Sequence, residues 1–506
     1  MRIDRLMQQS GVAFGTSGAR GLVEAMTDRV CQAYTLGFLQ YLQQSGGLAP
    51  GAAVAIAGDY RPSTPRIMAA VAAAVRRLGL TPVNCGLVPT PALALYGMRR
   101  GIPSIMVTGS HIPDDRNGIK FYRAEGEILK PDEEGIRRQE VELPAADFDS
   151  AGASRPPPQL PPPEEDAARE YVRRYLRFFP ADALAGLRVG LYQHSSVARE
   201  LLGEILAGLG AEVVPLGRSD RFVPVDTEAV RPEDRRLARE WATGHRLDAL
   251  ASTDGDADRP LLGDERGEWL RGDVAGILCA RYLGVERVVT PVSSNSAVEK
   301  CGWFRRVDRT RIGSPYVIAA MQAALAEGAG SVAGYEANGG FLTATGLRLD
   351  GRVLAPLPTR DAVLVILALL AMARQQGMPL SGLAGLLPPR FTSSGRLRDF
   401  PTAISRRRIA ELQGEGDGAD RRAIEAMFGA AFGPVESVDA TDGLRIVFRS
   451  QEVVHLRPSG NAPELRCYNE AGSQERADRM NRICLALLEG WREPAAVDPS
   501  QTSGGG

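Results

Sequence analysis

Three times along this chain a short apolar run is followed by a stretch of helical periodicity, and that recurrence restricts the fold more than any other feature. Ala53-Val54-Ala55-Ile56-Ala57 precedes a helical pattern over 67–78. Leu187-Arg188-Val189-Gly190-Leu191-Tyr192 precedes one over 198–209 and a further apolar run, Glu212-Val213-Val214. Arg287-Val288-Val289-Thr290-Pro291-Val292 precedes one over 316–326. Strand-length runs without polar alternation are buried on both faces, and strands joined through helices form sheets covered on both sides. The expectation is an α/β protein with buried, largely parallel sheets. No short repeat recurs, which excludes a solenoid.

At 506 residues the chain is too long for one core. The clearest break is Arg155-Pro156-Pro157-Pro158-Gln159-Leu160-Pro161-Pro162-Pro163, because consecutive prolines join neither helices nor central strands and favour a stiff extended linker. The predicted division is an α/β domain over 1–154, the linker over 155–163, and two more α/β domains over 164–265 and 266–386. A smaller α+β domain covers 387–492, with strands at 443–448, 453–456 and 464–468 and a helix at 475–488. The polar, Gly-rich segment 493–506 is predicted to be disordered.

Composition narrows the function. Lys and Arg number 60 against 61 Asp and Glu, which argues against a general binder of nucleic acid or anionic membranes. The longest apolar run, 362–373, is too short to span a bilayer and reads as a core helix. Residues 1–10 lack the apolar segment of a signal peptide. The six cysteines form no CxxC pair and read as reduced thiols, so a cytoplasmic location is expected. The four histidines have no zinc-ligand spacing.

Chemistry concentrates in five loops. Asp254-Gly255-Asp256-Ala257-Asp258-Arg259 follows the apolar run 249–252, and strand ends are where α/β folds bind ligands. Three carboxylates spaced by small residues suit one hard cation such as Mg²⁺ or Ca²⁺, and Arg259 suits a phosphate. An EF-hand is a poor fit: Glu265 falls at loop position twelve, but Arg259 stands at position six, where glycine is needed, and Pro260 follows. A phosphatase with Asp254 as nucleophile and Asp256 as acid would not need Asp258. Thr108-Gly109-Ser110-His111-Ile112-Pro113 is a turn expected to present the Ser110 hydroxyl outward, with Lys120 downstream as a proton carrier. Glu336 and Asn338, in Gly334-Tyr335-Glu336-Ala337-Asn338-Gly339-Gly340, are expected on one side of an extended loop, where acceptor and donor suit vicinal sugar hydroxyls. Arg457, Ser459, Gly460 and Asn461 make a phosphate cradle. Glycines around Arg20, over 14–21, suit an anion-binding nest. Each loop taken alone also reads as an ordinary turn.

Together and in this order, over about 14–488, the motifs resemble the α-D-phosphohexomutase family of phosphomannomutases and phosphoglucomutases. The resemblance implies three similar mixed-sheet α/β domains and a smaller C-terminal α+β domain around a central cleft. It implies interconversion of hexose 6-phosphate and hexose 1-phosphate through a phosphoserine at Ser110 and a hexose 1,6-bisphosphate intermediate. Asp254, Asp256, Asp258 and the phosphorylated Ser110 would ligate Mg²⁺. Arg259 and His111 would steady the phosphate, Lys120 and Arg20 would serve proton transfer and charge stabilisation, Glu336 and Asn338 would grip sugar hydroxyls, and Arg457, Ser459, Gly460 and Asn461 would hold the non-transferring phosphate.

The partners expected are small sugar phosphates, with no nucleic acid or membrane, for a monomer or homodimer. Mannose phosphate is the leading substrate, with glucose phosphate second. The alternatives are a phosphoglucosamine mutase, a phosphatase and a non-catalytic sugar-phosphate binder. The chain departs from the family's frequent residues at Ile112, Ala337-Asn338, Asn461-Ala462 and Ser314, the last where some members carry a histidine facing substrate.

Overall fold

The structure is a computed structural model, and it describes residues 1–15, 18–413, 421–459 and 463–492. The chain divides into two compact units, Met1–Leu387 and Pro388–Gly506.

The first unit contains three sheets built alike. In the first, Ala53–Gly58 runs parallel to both Thr81–Leu87 and Ser104–Val107, and Arg116–Arg123 and Ala19–Leu22 continue the sheet antiparallel. In the second, Arg188–His194 lies parallel between Glu212–Arg218 and Ala249–Thr253, with Pro260–Gly263 antiparallel at the edge. In the third, Arg287–Pro291 lies parallel between Arg306–Thr310 and Val332–Tyr335, followed antiparallel by Phe341–Thr343 and Leu357–Asp361.

The sheets are therefore mixed, not largely parallel throughout. Parallel neighbours need a long crossover, here a helix, whereas a short loop can only return the chain antiparallel. In each sheet the third parallel strand is followed by a short loop instead of a helix. Those loops, 108–115, 254–259 and 336–340, are three of the chemical motifs. Each site loop is thus the connection at which its sheet changes direction.

The helix Ala362–Gln376 is buried along 362–373, as its composition predicts. Its first turn is capped by Asp361, which accepts from Val363 N (3.1 Å) and Leu364 N (3.3 Å) and from the hydroxyls of Tyr171 and Tyr175. No single helix among the described residues is long and apolar enough to cross a membrane. Residues 155–163 form neither helix nor strand. They are tied to the first sheet's domain by Arg76 Nη1 donating to Gln159 O (2.6 Å) and Asn84 Nδ2 to Pro161 O (2.8 Å).

The second unit is a five-stranded antiparallel sheet in the order Phe391–Leu397, Leu465–Ala471, Val453–Pro458, Leu444–Phe448, Val435–Asp439. The helices Thr402–Gln413, Arg421–Phe432 and Gln474–Glu489 belong to it. Phe391–Leu397 and Val435–Asp439 escape sequence reading because edge strands are half solvated and carry Ser, Thr, Glu and Asp in place of an apolar run. The segment 493–506, predicted as disordered, lies outside the described residues.

Candidate active site

Ser104–Val107 feeds the chain into the serine loop, where Ser110 has φ 58°, a left-handed conformation that costs a non-glycine residue energy. Such a residue persists only where its surroundings over-determine it. Ser110 N donates to Thr108 Oγ1 (2.8 Å), and Thr108 Oγ1 donates to Asp59 Oδ2 (2.7 Å). Asp59 is paired with Arg61 at 3.0 Å, both side chains fully buried. Arg61 then donates to three backbone carbonyls of the loop, Ser110 (2.8 Å), Ile112 (2.7 Å) and Pro113 (2.7 Å), and to that of Arg116 (3.2 Å) at the start of the next strand. Phe222 covers the guanidinium at 4.0 Å. Gly109 is required by this arginine more than by the turn, because a Cβ there would lie 2.6 Å from Arg61 Cζ.

Arg61 was not legible as a site residue. Its only local signal is a strand end followed by Asp59-Tyr60-Arg61, and nothing in that spacing says which carbonyls it binds. Lysine offers one ammonium in place of a planar five-donor fork. Arg61→Lys is expected to lower turnover about 100-fold through misplacement of the serine loop, with KM little changed. Steady-state kinetics beside a melting curve checks this, and unchanged kcat would remove Arg61 from the site.

The Ser110 hydroxyl does not face solvent as expected from the turn. It is 1% exposed and donates to Asp254 Oδ2 at 2.6 Å. The acidic turn leaves Ala249–Thr253 and closes with Asp254 N donating to Arg259 O (3.1 Å), Ala257 taking φ 59°. One oxygen from each of Asp254, Asp256 and Asp258 lies within 4.8 Å of the others, and all three residues are buried.

Lys120 Nζ donates to Asp256 Oδ2 (2.6 Å) and Asp258 Oδ2 (2.7 Å). Thr90 Oγ1 also donates to Asp256 Oδ2 (2.6 Å). Arg360 donates to Asp258 Oδ2 from Nη2 (2.7 Å) and Nε (3.1 Å), and to Glu336 Oε2 (2.8 Å).

The remaining oxygens test whether a cation fits. Asp256 Oδ1 and Asp258 Oδ1 are buried without a hydrogen-bond partner. An unsatisfied buried carboxylate oxygen is costly. Burial, with Asp256 and Asp258 beside it, pushes Asp254 well above the usual carboxylate range. A hard divalent cation bound by oxygen ligands would satisfy the orphaned oxygens and restore the charge on Asp254, so the residues fit such an ion.

The cations around the turn differ in state. Burial opposes the charge on Lys120, but Asp256 and Asp258 outweigh it and hold the ammonium protonated. Lys120 is therefore an ammonium in the folded protein. Burial, aided by Arg259, lowers Arg20 to about 10, which leaves it charged at neutral pH. His111 Nδ1 lies 3.3 Å from Ser110 Oγ. Burial, followed by Arg259 and Arg20, depresses its pKa well below the usual value, so the ring is neutral. The Arg259 guanidinium makes no hydrogen bond among the described residues; its Nε stands 3.7 Å from Asp258 Oδ1 and 4.0 Å from Asp254 Oδ2. It retains its donors for an anion.

The loop carrying Glu336 and Asn338 is a closed turn, not an extended one: Gly339 N donates to Glu336 O (2.9 Å) and Glu336 N to Gly340 O (3.1 Å). Asn338 Oδ1 accepts from its own turn, Gly340 N at 2.9 Å, which leaves its amide NH₂ as the donor group. Arg360 joins Glu336 to the acidic turn across separate domains. It carries no sequence signal, since it stands inside the strand Leu357–Asp361.

The first unit thus gathers Ser110, His111, Lys120, Arg20, Asp254, Asp256, Asp258, Arg259 and Glu336, with Asn338 beside Glu336. In the second unit Arg457 Nε pairs with Asp442 at 3.0 Å, and Ser459, buried, has its N–H on Glu464 O (2.8 Å). Gly460 and Asn461 lie outside the described residues.

A buried serine against a three-carboxylate turn, each on the direction-changing loop of one of three like-built sheets, defines a phosphoryl-transfer enzyme of the phosphohexomutase type. The chain belongs to the phosphoglucomutase/phosphomannomutase family: alpha/beta/alpha domain I matches residues 11–142, domain II 169–267, domain III 271–391 and the C-terminal domain 406–483.

It is 45% identical over 479 residues to a phosphomannomutase of Sinorhizobium fredii, covering 94% of this chain and 99% of that one. It is also 45% identical over 484 residues to a phosphomannomutase of Salmonella muenchen, covering 96% and 97%. A probable phosphoglucosamine mutase of Methanopyrus kandleri is 27% identical over 478 residues, covering 92% and 95%. Among solved structures, a phosphoglucomutase/phosphomannomutase family protein from Burkholderia thailandensis superposes with TM-score 0.72 at 21% identity, covering 95% of this chain and 97% of that chain.

Proposed function

We infer that this chain is a phosphomannomutase, interconverting mannose 6-phosphate and mannose 1-phosphate, with glucose phosphates as second substrates. The observation that carries the reading is the 2.6 Å contact of Ser110 Oγ with Asp254 inside a carboxylate cluster that has unsatisfied oxygens. The 45% identity to two phosphomannomutases, against 27% to a phosphoglucosamine mutase, favours mannose over the amino sugar.

In this reading Ser110 carries the phosphoryl group. The bond from phosphorus to Ser110 Oγ breaks as a bond to the free sugar hydroxyl forms, giving the hexose 1,6-bisphosphate. The bisphosphate turns over, and Ser110 takes the other phosphate back. Asp254, Asp256, Asp258 and the phosphate on Ser110 would hold Mg²⁺, which supplies charge neutralisation on the transferring group. Arg259, with unused donors, receives phosphate oxygens, and neutral His111 stays beside Ser110 Oγ. Lys120, protonated between two aspartates, donates a proton to the leaving Ser110 oxygen and takes back the proton that the attacking sugar hydroxyl gives up. Glu336 accepts and Asn338 donates to sugar hydroxyls, while Arg457, Ser459, Gly460 and Asn461 hold the distal phosphate. The proposed setting is a cytoplasmic monomer or homodimer.

Relative rates on mannose, glucose and glucosamine 1-phosphates, primed with bisphosphate, provide the test. Mannose 1-phosphate is expected to be the best. A tenfold preference for glucosamine 1-phosphate would overturn the assignment in favour of the amino-sugar mutase.

A further inference from the structure

We infer that Tyr60 and Arg199 are positioning residues for phosphoryl transfer: their contact joins the segment that supports the acidic turn to the one that supports the serine loop. In the first sheet the strand Ala53–Gly58 runs through Asp59-Tyr60-Arg61 into the helix Thr64–Arg77. In the second, its counterpart Arg188–His194 runs through residues 195–200 into the helix Leu201–Gly208.

Each connection braces the direction-changing loop of its own sheet. Asp59 and Arg61 hold the serine loop. In the second sheet His194 Nε2 donates to Thr253 O (2.9 Å), Ser196 Oγ bonds to Thr253 Oγ1 (2.6 Å), and Val197 N donates to Gly255 O (3.1 Å). These contacts fall on both sides of Asp254. His194 has φ 26°, a left-handed backbone that persists only where its surroundings hold it. Arg199 supplies part of that hold: its Nη1 donates to His194 O (3.2 Å) and Ser219 O (3.0 Å), and Ser219 N donates to the same His194 O (3.1 Å).

Arg199 is buried, and its Cζ stands 4.2 Å from the centroid of the Tyr60 ring. A guanidinium over a ring face is attracted by the ring itself, so the contact does not need the tyrosine hydroxyl. The ion pair of Arg199 with exposed Glu200, at 3.7 Å, is solvated and contributes little. Tyr60 is thus flanked by the two residues that fix the serine loop, and it receives the guanidinium that fixes the backbone beside the acidic turn. The two loops also pack without slack: a Cβ on Gly255 would lie 2.8 Å from Ser110 O and 3.2 Å from the Phe222 ring, which covers Arg61. A shift at the Tyr60–Arg199 joint therefore reaches the 2.6 Å pair of Ser110 and Asp254. Among the described residues neither Tyr60 nor Arg199 bonds to the Glu336–Asn338 turn, so sugar binding is spared.

This role rests on the phosphohexomutase reading above, and the test keeps the two apart. Full-length protein would be mixed with hexose 1,6-bisphosphate, and phosphate uptake followed over time by intact mass, beside steady-state kinetics. Tyr60→Leu should slow uptake and kcat about tenfold, the weight of a largely desolvated cation–π contact, with KM for mannose 1-phosphate unchanged. Tyr60→Phe, which keeps the ring, should restore the rate. Arg199→Met should slow both about 100-fold, as misplacement by about 1 Å does. Adding Tyr60→Leu to Arg199→Met should cause no further loss, because both act through one contact. Each variant should still reach the same end point of phosphate per chain, which loss of folded protein would not allow. The two Tyr60 variants decide the matter if Arg199→Met does not fold. Unaltered uptake in Tyr60→Leu, a Tyr60→Phe variant as slow as Tyr60→Leu, or losses that multiply in the double variant would overturn the role of the pair alone. An unsubstituted protein that takes up no phosphate would instead sink the phosphohexomutase reading, and this inference with it.

Discussion

Ser110→Ala should abolish mutase turnover, by about 10⁵-fold or more, as loss of an enzyme nucleophile does elsewhere, while hexose phosphates still bind. The reason is geometric. Among the described residues no other hydroxyl donates to the acidic turn from a strained loop. Among the described residues, the one other hydroxyl bonded to an aspartate carboxylate of that turn is Thr90 Oγ1, on Asp256 Oδ2. Thr90 begins the helix Thr90–Arg100, and its N–H donates to Asp256 O (2.9 Å), so backbone and hydroxyl both bond to Asp256. Intact-mass measurement after incubation with bisphosphate checks the claim independently of turnover. The unsubstituted protein should gain one phosphate and the alanine variant none. A phosphate adduct or net phosphate release that survives the substitution would move the covalent step to Asp254 and make the chain a phosphatase.

The second large effect is expected at Asp258. Its Oδ2 holds Lys120 and Arg360 together, and both cations are almost wholly buried. Removing one partner of a buried ion cluster leaves the others uncompensated, at about 3–5 kcal/mol. Asp258→Asn should therefore lower stability by about 3 kcal/mol, measured by denaturant unfolding in EDTA so that no bound metal contributes. It should also remove one of three carboxylate ligands and loosen Arg360, which carries Glu336. Turnover should fall about 1000-fold, the order seen when one preorganised charge contact to a transition state is lost. Sugar binding should weaken much less. An Asp258→Asn variant with normal stability and kcat would show that the cluster is not organised around this carboxylate.

Much of the site was legible because its groups are local. Three aspartates separated by single small residues define a metal-like turn whatever surrounds them, and Gly109-Ser110-His111 after an apolar run defines a turn. The three strand-helix units and the distinct C-terminal unit were legible from periodicity, since burial on both faces leaves an apolar run that sequence displays directly. The direction of the last strands was not, because an antiparallel return and a parallel crossover begin with the same apolar run. Asn338 was read as lying on an extended loop, but its side-chain oxygen is consumed inside its own turn.

The sequence by itself determined which residue types share each loop: the aspartate turn, the serine turn, and the order of the domains that carry them. Only the tertiary structure decided their pairing. It set Ser110 on Asp254 across 144 residues, Lys120 between Asp256 and Asp258, Arg360 between Asp258 and Glu336, and Arg61 under the serine loop. The physical reason is that spacing along a chain constrains only neighbours within a turn or a strand. Ion pairs between separately folded domains depend on how whole sheets pack, and a buried arginine leaves no periodic trace of the carbonyls it will bind.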